Sequence, residues 1–412
     1  MKRTNAIAAL MVALAGITAA QGAGWHARPE AVALAAKQQP GFNYDESRVE
    51  PYTLPDPLAY KDARIKSALM WPARRAEILE LFRTNVYGRS PGKPEHVAFS
   101  VVEANPTAMD GAATLRRVAI TSRQGPRTHR FELTLFLPNK RSGAAPVFLL
   151  INNRPPSNTD PTRKEKSGFW PAEQVIARGY GIAAFHYAEL APDDAKTYRD
   201  GVINFYDESG GTPYTWGALA AWGWGASRAM DYFDTDSRVD KAHVAIVGHS
   251  RGGKAALWAG AEDERFAMVV SNDSGEGGAA LSRRNFGETL EQINTSFPHW
   301  FTATYKTFNR RAAELPVDQH MLLSLVAPRA LYVASADEDL WADPRGEFLS
   351  LAASSPVFGL WGDAPVRASD MPAIDSPLIA GRRGYHIRTG GHNLTPYDWD
   401  RYADFADRIW KH

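Results

Sequence analysis

The pentapeptide Gly248-His249-Ser250-Arg251-Gly252 constrains this chain more than any other segment. It follows the apolar run Val244-Ala245-Ile246-Val247 and leads into a helical stretch from Gly252 to Ala261. A serine between small residues at a strand-to-helix turn has a mechanical meaning. The turn is too sharp for larger neighbours, lifts the hydroxyl clear of the sheet and leaves it at a helix N-terminus. Backbone N–H groups there can stabilise a developing oxyanion. Ser250 is therefore the candidate nucleophile.

The surrounding chain supplies the scaffold such a turn needs. Val147-Phe148-Leu149-Leu150-Ile151 and Gly181-Ile182-Ala183-Ala184-Phe185 are continuous apolar runs, as strands buried on both faces should be. Helical patterns over Pro171–Arg178 and Trp216–Phe233 separate them from each other and from 244–247. Phe266–Val270, Ala330–Ala334 and Tyr385–Arg388 read as later strands, and Tyr397–Trp410 as a last helix. This alternation predicts an α/β fold with a mostly parallel central sheet and helices on both faces. Upstream, a helix is expected over Ala73–Val86, followed by strands His96–Glu103, Thr114–Thr121 and Thr128–Leu137. These lie close enough to pair antiparallel. Residues 22–60 are broken by Pro29, Pro40, Pro51, Pro55 and Pro57 and read as a wrapping N-terminal arm. With no repeat and no low-complexity linker, residues 21–412 are expected to form a single catalytic domain.

Composition narrows the function. A net charge of +1 over 412 residues argues against nucleic acid as a partner, which would call for a strong basic excess. Lys2 and Arg3, the small-residue apolar stretch Ala6–Ala20 and Thr18-Ala19-Ala20 together read as an export signal over residues 1–20. The stretch is short of the roughly 20 residues that span a bilayer, so no membrane association is expected after cleavage. Losing Lys2 and Arg3 takes the charge from +1 to −1. With no cysteine, an exported chain must be stabilised by a large packed core. The periplasm or the exterior of a bacterium is the expected destination, and a monomer the expected state.

A serine hydroxyl needs a base. In α/β-hydrolases the chain order is serine, acid, histidine, and five of the 11 histidines follow Ser250. His392, in Thr389-Gly390-Gly391-His392-Asn393, lies between the last strand and the last helix, where a loop can carry an imidazole over the nucleophile. His386 falls inside a strand, His412 is terminal, His320 precedes an ordinary apolar run and His299 follows no candidate strand. Two loops offer the acid: Asp273, with Glu276 as a rival, and Asp339, with Asp337 and Glu338 as rivals. Both loops sit where open α/β sheets build their sites.

The motif Gly248-His249-Ser250-Arg251-Gly252-Gly253-Lys254 resembles the G-C-S-R-x-G-K signature of glucuronoyl esterases, carbohydrate esterase family 15. The segments Asn272–Ala280, Leu340-Trp341-Ala342-Asp343-Pro344 and Gly391-His392 are similar to that family too. The resemblance implies an α/β-hydrolase fold, no cofactor or metal, and hydrolysis of esters joining glucuronic acid of xylan to lignin alcohols. It implies that Arg251 stabilises the oxyanion, that Lys254 and Glu288 contact ring hydroxyls, and that Trp341 packs near the sugar. His249 stands where fungal members have Cys, as in the bacterial branch, and Asp273 where they have Glu. Asp is one methylene shorter, which keeps Asp339 a candidate.

Elementary electrostatics agrees with the resemblance. Cations at a helix start oppose the helix dipole, so Arg251 and Lys254 carry a local cost that a role at the site explains. A uronate ester has no free carboxylate and calls for hydroxyl readers, while a cation beside the serine suits an intermediate whose charge appears only during reaction. Trp300 and Trp341 offer flat faces to rings. The alternatives are another carbohydrate esterase, such as an acetyl xylan esterase, and a carbohydrate-binding protein on a hydrolase scaffold. No His-x-x-x-His cluster supports a metal hydrolase.

Overall fold

Six apolar runs become parallel strands whose side chains alternate between two cores. The computed structural model describes residues 24–207 and 216–410, so the export segment expected at 1–20 lies outside the described residues. The sheet strands are β1 (His96–Ala108), β2 (Ala113–Gln124), β3 (Arg127–Pro138), β4 (Ala145–Asn152) and β5 (Gly181–His186). They continue with β6 (Val239–His249), β7 (Met268–Asn272), β8 (Ala330–Ala336), β9 (Leu378–Ala380) and β10 (Arg383–Arg388). Their order across the 10-stranded sheet is β9-β10-β8-β7-β6-β4-β5-β3-β2-β1. Strands β4, β5, β6, β7, β8 and β10 run parallel, while β1, β2, β3 and β9 pair antiparallel with their neighbours. The α/β-hydrolase expectation is met in both parts of the sheet.

Period-two alternation sorts the side chains. Val147, Leu149, Ile151, Val244, Ile246, Val269, Leu331 and Val333 face one core. Helices α1 (Pro29–Gln38), α2 (Trp71–Phe82), α4 (Ala218–Phe233), α5 (Arg251–Glu262) and α6 (Pro344–Ala353) contribute to it. Phe148, Leu150, Ala245, Val247, Val270 and Tyr332 face the other, beneath α3 (Ala172–Ala177) and α7 (Pro396–Trp410). None of these central residues is more than 1% exposed, which is why the runs read as continuously apolar. Among the described residues no helix is long and apolar enough to cross a membrane.

Several boundaries differ from expectation, the first strands and β6 being longer than their apolar cores, and two differences have a clear cause. The helix expected over Ala73–Val86 ends at Phe82 and continues as a wide turn, Arg83–Tyr87. That turn sets both Val86 and Tyr87 fully into the core before Gly88 breaks away at φ 91°. Strand β7 runs two residues past Val270, because Ser271 and Asn272 still pair with neighbouring strands. Ahead of the sheet, residues 25–46 touch the loops at its C-terminal edge. Arg345 donates to the Trp25 carbonyl (2.8 Å), Gly287 N–H to the Asn43 carbonyl (2.8 Å), and Arg284 pairs with Glu46 (2.7 Å).

Candidate active site

One residue must convert β6 into α5, and it is Ser250, at φ 57° and ψ −127°. Such a conformation costs about 1–3 kcal/mol and persists only where the surroundings over-determine it. Here Ser250 N–H donates to the Asn272 carbonyl at 2.8 Å, and the Ser250 carbonyl accepts from Gly253 N–H at 2.9 Å. The flanking glycines are required by space. A methyl group at Gly248 would lie 2.0 Å from the Gly252 carbonyl oxygen, and one at Gly252 would lie 3.0 Å from that of Ile151.

Parallel strands bring the remaining groups to the same edge. Asp273 follows β7, Asp339 follows β8 and His392 follows β10. An oxygen of each carboxylate and a nitrogen of the imidazole lie within 4.8 Å of one another. The hydrogen bond to the histidine goes to Asp339, with His392 Nδ1 and Asp339 Oδ2 2.6 Å apart. Asp273 turns instead to Arg388, 3.3 Å away, which it shares with Asp398. Burial, and then the Asp339 carboxylate, push the Asp273 carboxyl well above the ordinary carboxylate range. Its Oδ1 is buried without a partner among the described residues. A carboxyl that favours its proton is also a poor metal ligand, although these three groups are the described ones nearest to a cation-binding geometry.

The rival acids have other work. Glu276 accepts from Ser282 and Tyr305 hydroxyls, both at 2.7 Å, and Glu338 pairs with Arg28 at 2.8 Å. Asp337 accepts from Gly390 N–H at 2.7 Å and so ties the Asp339 loop to the His392 loop. His386 is packed, as expected of a strand residue, between Tyr332 and Asp398.

A cavity of about 160 Å³ opens over these groups. Ser250, His392, Arg251, Lys254, Glu288 and Trp341 all line it, joined by Asp273, Phe297 and Trp300. Lys254 is 4% exposed, and its ammonium donates to the Ser274 carbonyl; burial pulls its pKa down. Burial pushes the Glu288 carboxyl up, opposed by the Lys254 charge, so the two offset one another across the cavity. Trp341 is braced edge-on by Phe42, with ring centroids 4.9 Å apart. Arg251 does not stand free beside the serine: its guanidinium is paired with Asp193.

Residues 120–362 match the profile of the fungal glucuronyl esterase family, more than half of the chain. Carbohydrate esterase MZ0003, from an unknown prokaryotic organism, is 40% identical over 402 residues, 90% of this chain and 92% of its own. The chain belongs to the glucuronoyl esterase family. That family is one of carboxylic ester hydrolases. A glucuronoyl esterase from Solibacter usitatus superposes with a TM-score of 0.83 at 40% identity, covering 88% of this chain and 100% of its own. The 4-O-methyl-glucuronoyl methylesterase 1 of Wolfiporia cocos is 28% identical over 344 residues, 81% of this chain and 76% of its own.

His249, immediately before the serine, is fully buried. Its Nε2 faces Arg154 NH2 at 3.2 Å and its Nδ1 faces Asn272 Oδ1 at 2.7 Å. Arginine only donates, so Nε2 accepts and Nδ1 carries the proton. Burial, and then His392, hold the His249 pKa well below its ordinary value. A neutral ring therefore packs 4.5 Å from that of His392. Asn272 passes the network on to Tyr402 at 3.0 Å and Asp398 at 3.2 Å. Neither Asn272 nor Asp193 was marked by sequence reasoning. Asn272 ends a parallel strand, whereas Asp193 lies seven residues beyond the end of one, past the turn 187–189.

Proposed function

We propose that this protein hydrolyses esters of 4-O-methyl-glucuronic acid, the linkages that join glucuronoxylan to lignin, through Ser250, His392 and Asp339. The observation that carries this reading is the 2.6 Å bond between His392 and Asp339 beside the Ser250 turn. Ser250 Oγ attacks the ester carbonyl carbon while His392 Nε2 takes the hydroxyl proton. The carbonyl π electrons move onto oxygen, and the oxyanion is met by backbone N–H groups and the Arg251 cation. Collapse expels the alcohol, which receives the proton from His392, and leaves an acyl ester on Ser250. Water then repeats the sequence, with His392 as base, and releases the uronic acid. Asp339 fixes the imidazole tautomer and stabilises the imidazolium.

Lys254 and Glu288 offer donors and acceptors to ring hydroxyls, and Trp341 a flat face, around a cavity of single-sugar scale. We take residues 21–412 as one catalytic domain that acts as a monomer in the periplasm or outside a bacterial cell; the export-like residues 1–20 support the destination. The test is Ser250→Ala on the methyl ester of 4-O-methyl-glucuronic acid, with nitrophenyl acetate in parallel. Hydrolysis of the uronate ester should fall by at least roughly a thousandfold. Surviving activity removes the mechanism, and a wild-type preference for the acetate points to an acetyl esterase instead.

A further inference from the structure

Arg251 is the residue immediately after the nucleophile, yet what decides where its charge sits is a carboxylate outside the cavity. Asp193 lies in the loop beyond β5, its side chain 8% exposed, and is not among the residues that line the cavity. Four donors converge on it. His299 Nε2 at 2.8 Å and Trp300 Nε1 at 2.7 Å reach Oδ1, while the Tyr187 hydroxyl at 3.2 Å and the Arg251 guanidinium reach Oδ2. These bonds outweigh burial and hold the Asp193 carboxyl down at about 2.

The guanidinium also lies against two aromatic rings, 5.2 Å from the centroid of Phe297 and 4.9 Å from that of Trp300. Those two rings stack on each other at 3.8 Å, within 3° of parallel. A long, flexible side chain is thus confined by one anion and a stacked pair of rings beside it. The anion is held in turn by three further donors, from His299, Trp300 and Tyr187. A buried carboxylate in any ion pair needs such further donors, but here they also fix the anion that sets the place of a cavity-lining cation next to the nucleophile. A cation held in place before negative charge develops acts without reorganising during reaction.

We infer that Asp193 is a positioning residue for the ester hydrolysis: anchored by His299, Trp300 and Tyr187, it holds the Arg251 guanidinium beside Ser250 for the oxyanion. The inference rests on the proposed role of Ser250 and Arg251. Asp193 touches neither substrate nor serine and acts through the arginine alone.

The experiment is a double-mutant cycle with Asp193→Asn, Arg251→Met and the pair. It is read as kcat and KM on the methyl ester of 4-O-methyl-glucuronic acid. The rate of inactivation by a nitrophenyl alkylphosphonate, which places a phosphoryl oxygen at the oxyanion position, is measured in parallel. Asp193→Asn should lower kcat by about tenfold or more with KM changed less than about threefold. Arg251→Met should cost at least as much, and the double variant no more than Arg251→Met alone. A double variant whose loss is the product of the two singles overturns the inference, as does a rise in kcat for Asp193→Asn, which would make the aspartate a brake on the arginine. Should Asp193→Asn not fold, Arg251→Lys leaves the anchored aspartate intact. It keeps the charge but not the planar fork, and wild-type kcat in that variant also overturns the inference. Coupling seen with the phosphonate, in an enzyme that does not hydrolyse the uronate ester, sinks the substrate reading and leaves Asp193 in its role. Failure to phosphonylate Ser250 removes both.

Discussion

Two aspartates follow neighbouring strands and point into the same few ångströms, yet their surroundings give them opposite chemistry. Asp339 bonds at 2.6 Å to His392, whose side chain is 39% exposed. Asp273 is 1% exposed, shares Arg388 with Asp398 and has one oxygen without a partner among the described residues. Burial and the nearby Asp339 favour its neutral form. Residue type and place in the fold are the same, so neither decides the role. What separates them is the partner each finds, His392 for Asp339 and an Arg388 shared with Asp398 for Asp273.

The comparison breaks most visibly at Asp339. Asp339→Asn should lower kcat on the uronate ester by roughly a thousandfold, since the imidazole loses both its tautomer control and its counter-charge. A loss below tenfold would hand the orienting role to Asp273. Asp273→Asn should cost less than roughly tenfold, because an amide replaces a carboxyl that already favours its proton. Equal losses in the two variants would erase the distinction drawn here.

Stability against pH sharpens the same contrast. A carboxyl raised on folding stabilises fully below its unfolded value, and that stabilisation is lost as pH rises through the folded value. Asp273 belongs to this class by direction, and so do Glu347, pushed up to about 7, and Glu276, pushed up to about 8. The wild type should therefore lose Tm on going from pH 5 to pH 8.5. Asp273→Asn removes one such contribution, so its Tm relative to wild type should rise over that interval, by a few degrees in thermal melts. A constant or falling difference would mean that Asp273 is ionised throughout.

The two loops also differ in how much of them was readable. The parallel strands were legible because both faces are buried, which leaves runs such as Val147–Ile151 without polar interruptions. Ser250 was legible because only small residues fit around its turn, and His392 because chain order and a glycine-rich loop single it out. The choice of acid was not legible. Asp273 and Asp339 follow equivalent strands, and their difference arises from Arg388, Asp398 and His392, which meet only in space. Asp193 was hidden for the same reason: its donors come from residues 187, 251, 299 and 300. His299 was passed over because it follows no strand, though a histidine reaching a buried carboxylate needs none.

The smallest effect tests how the two loops are held. Behind Asp273 the clamp is internal: Glu347, fully buried, accepts from Ser274 N–H at 2.8 Å and Gly275 N–H at 3.0 Å. Behind Asp339 it is partly external. Arg28, 51% exposed, lies 3.1 Å from Asp337 and 2.8 Å from Glu338, and Asp337 in turn holds Gly390 of the histidine loop. Exposed ion pairs contribute about 0–1 kcal/mol and weaken as salt rises. Arg28→Ala should therefore lower kcat/KM on the uronate ester by less than about threefold. The gap between it and wild type should close near 0.5 M sodium chloride, roughly where screening becomes short-ranged. A loss approaching that of Asp339→Asn, or one indifferent to salt, would mean that this arginine fixes the acid by packing rather than by charge, and that the two loops are clamped alike.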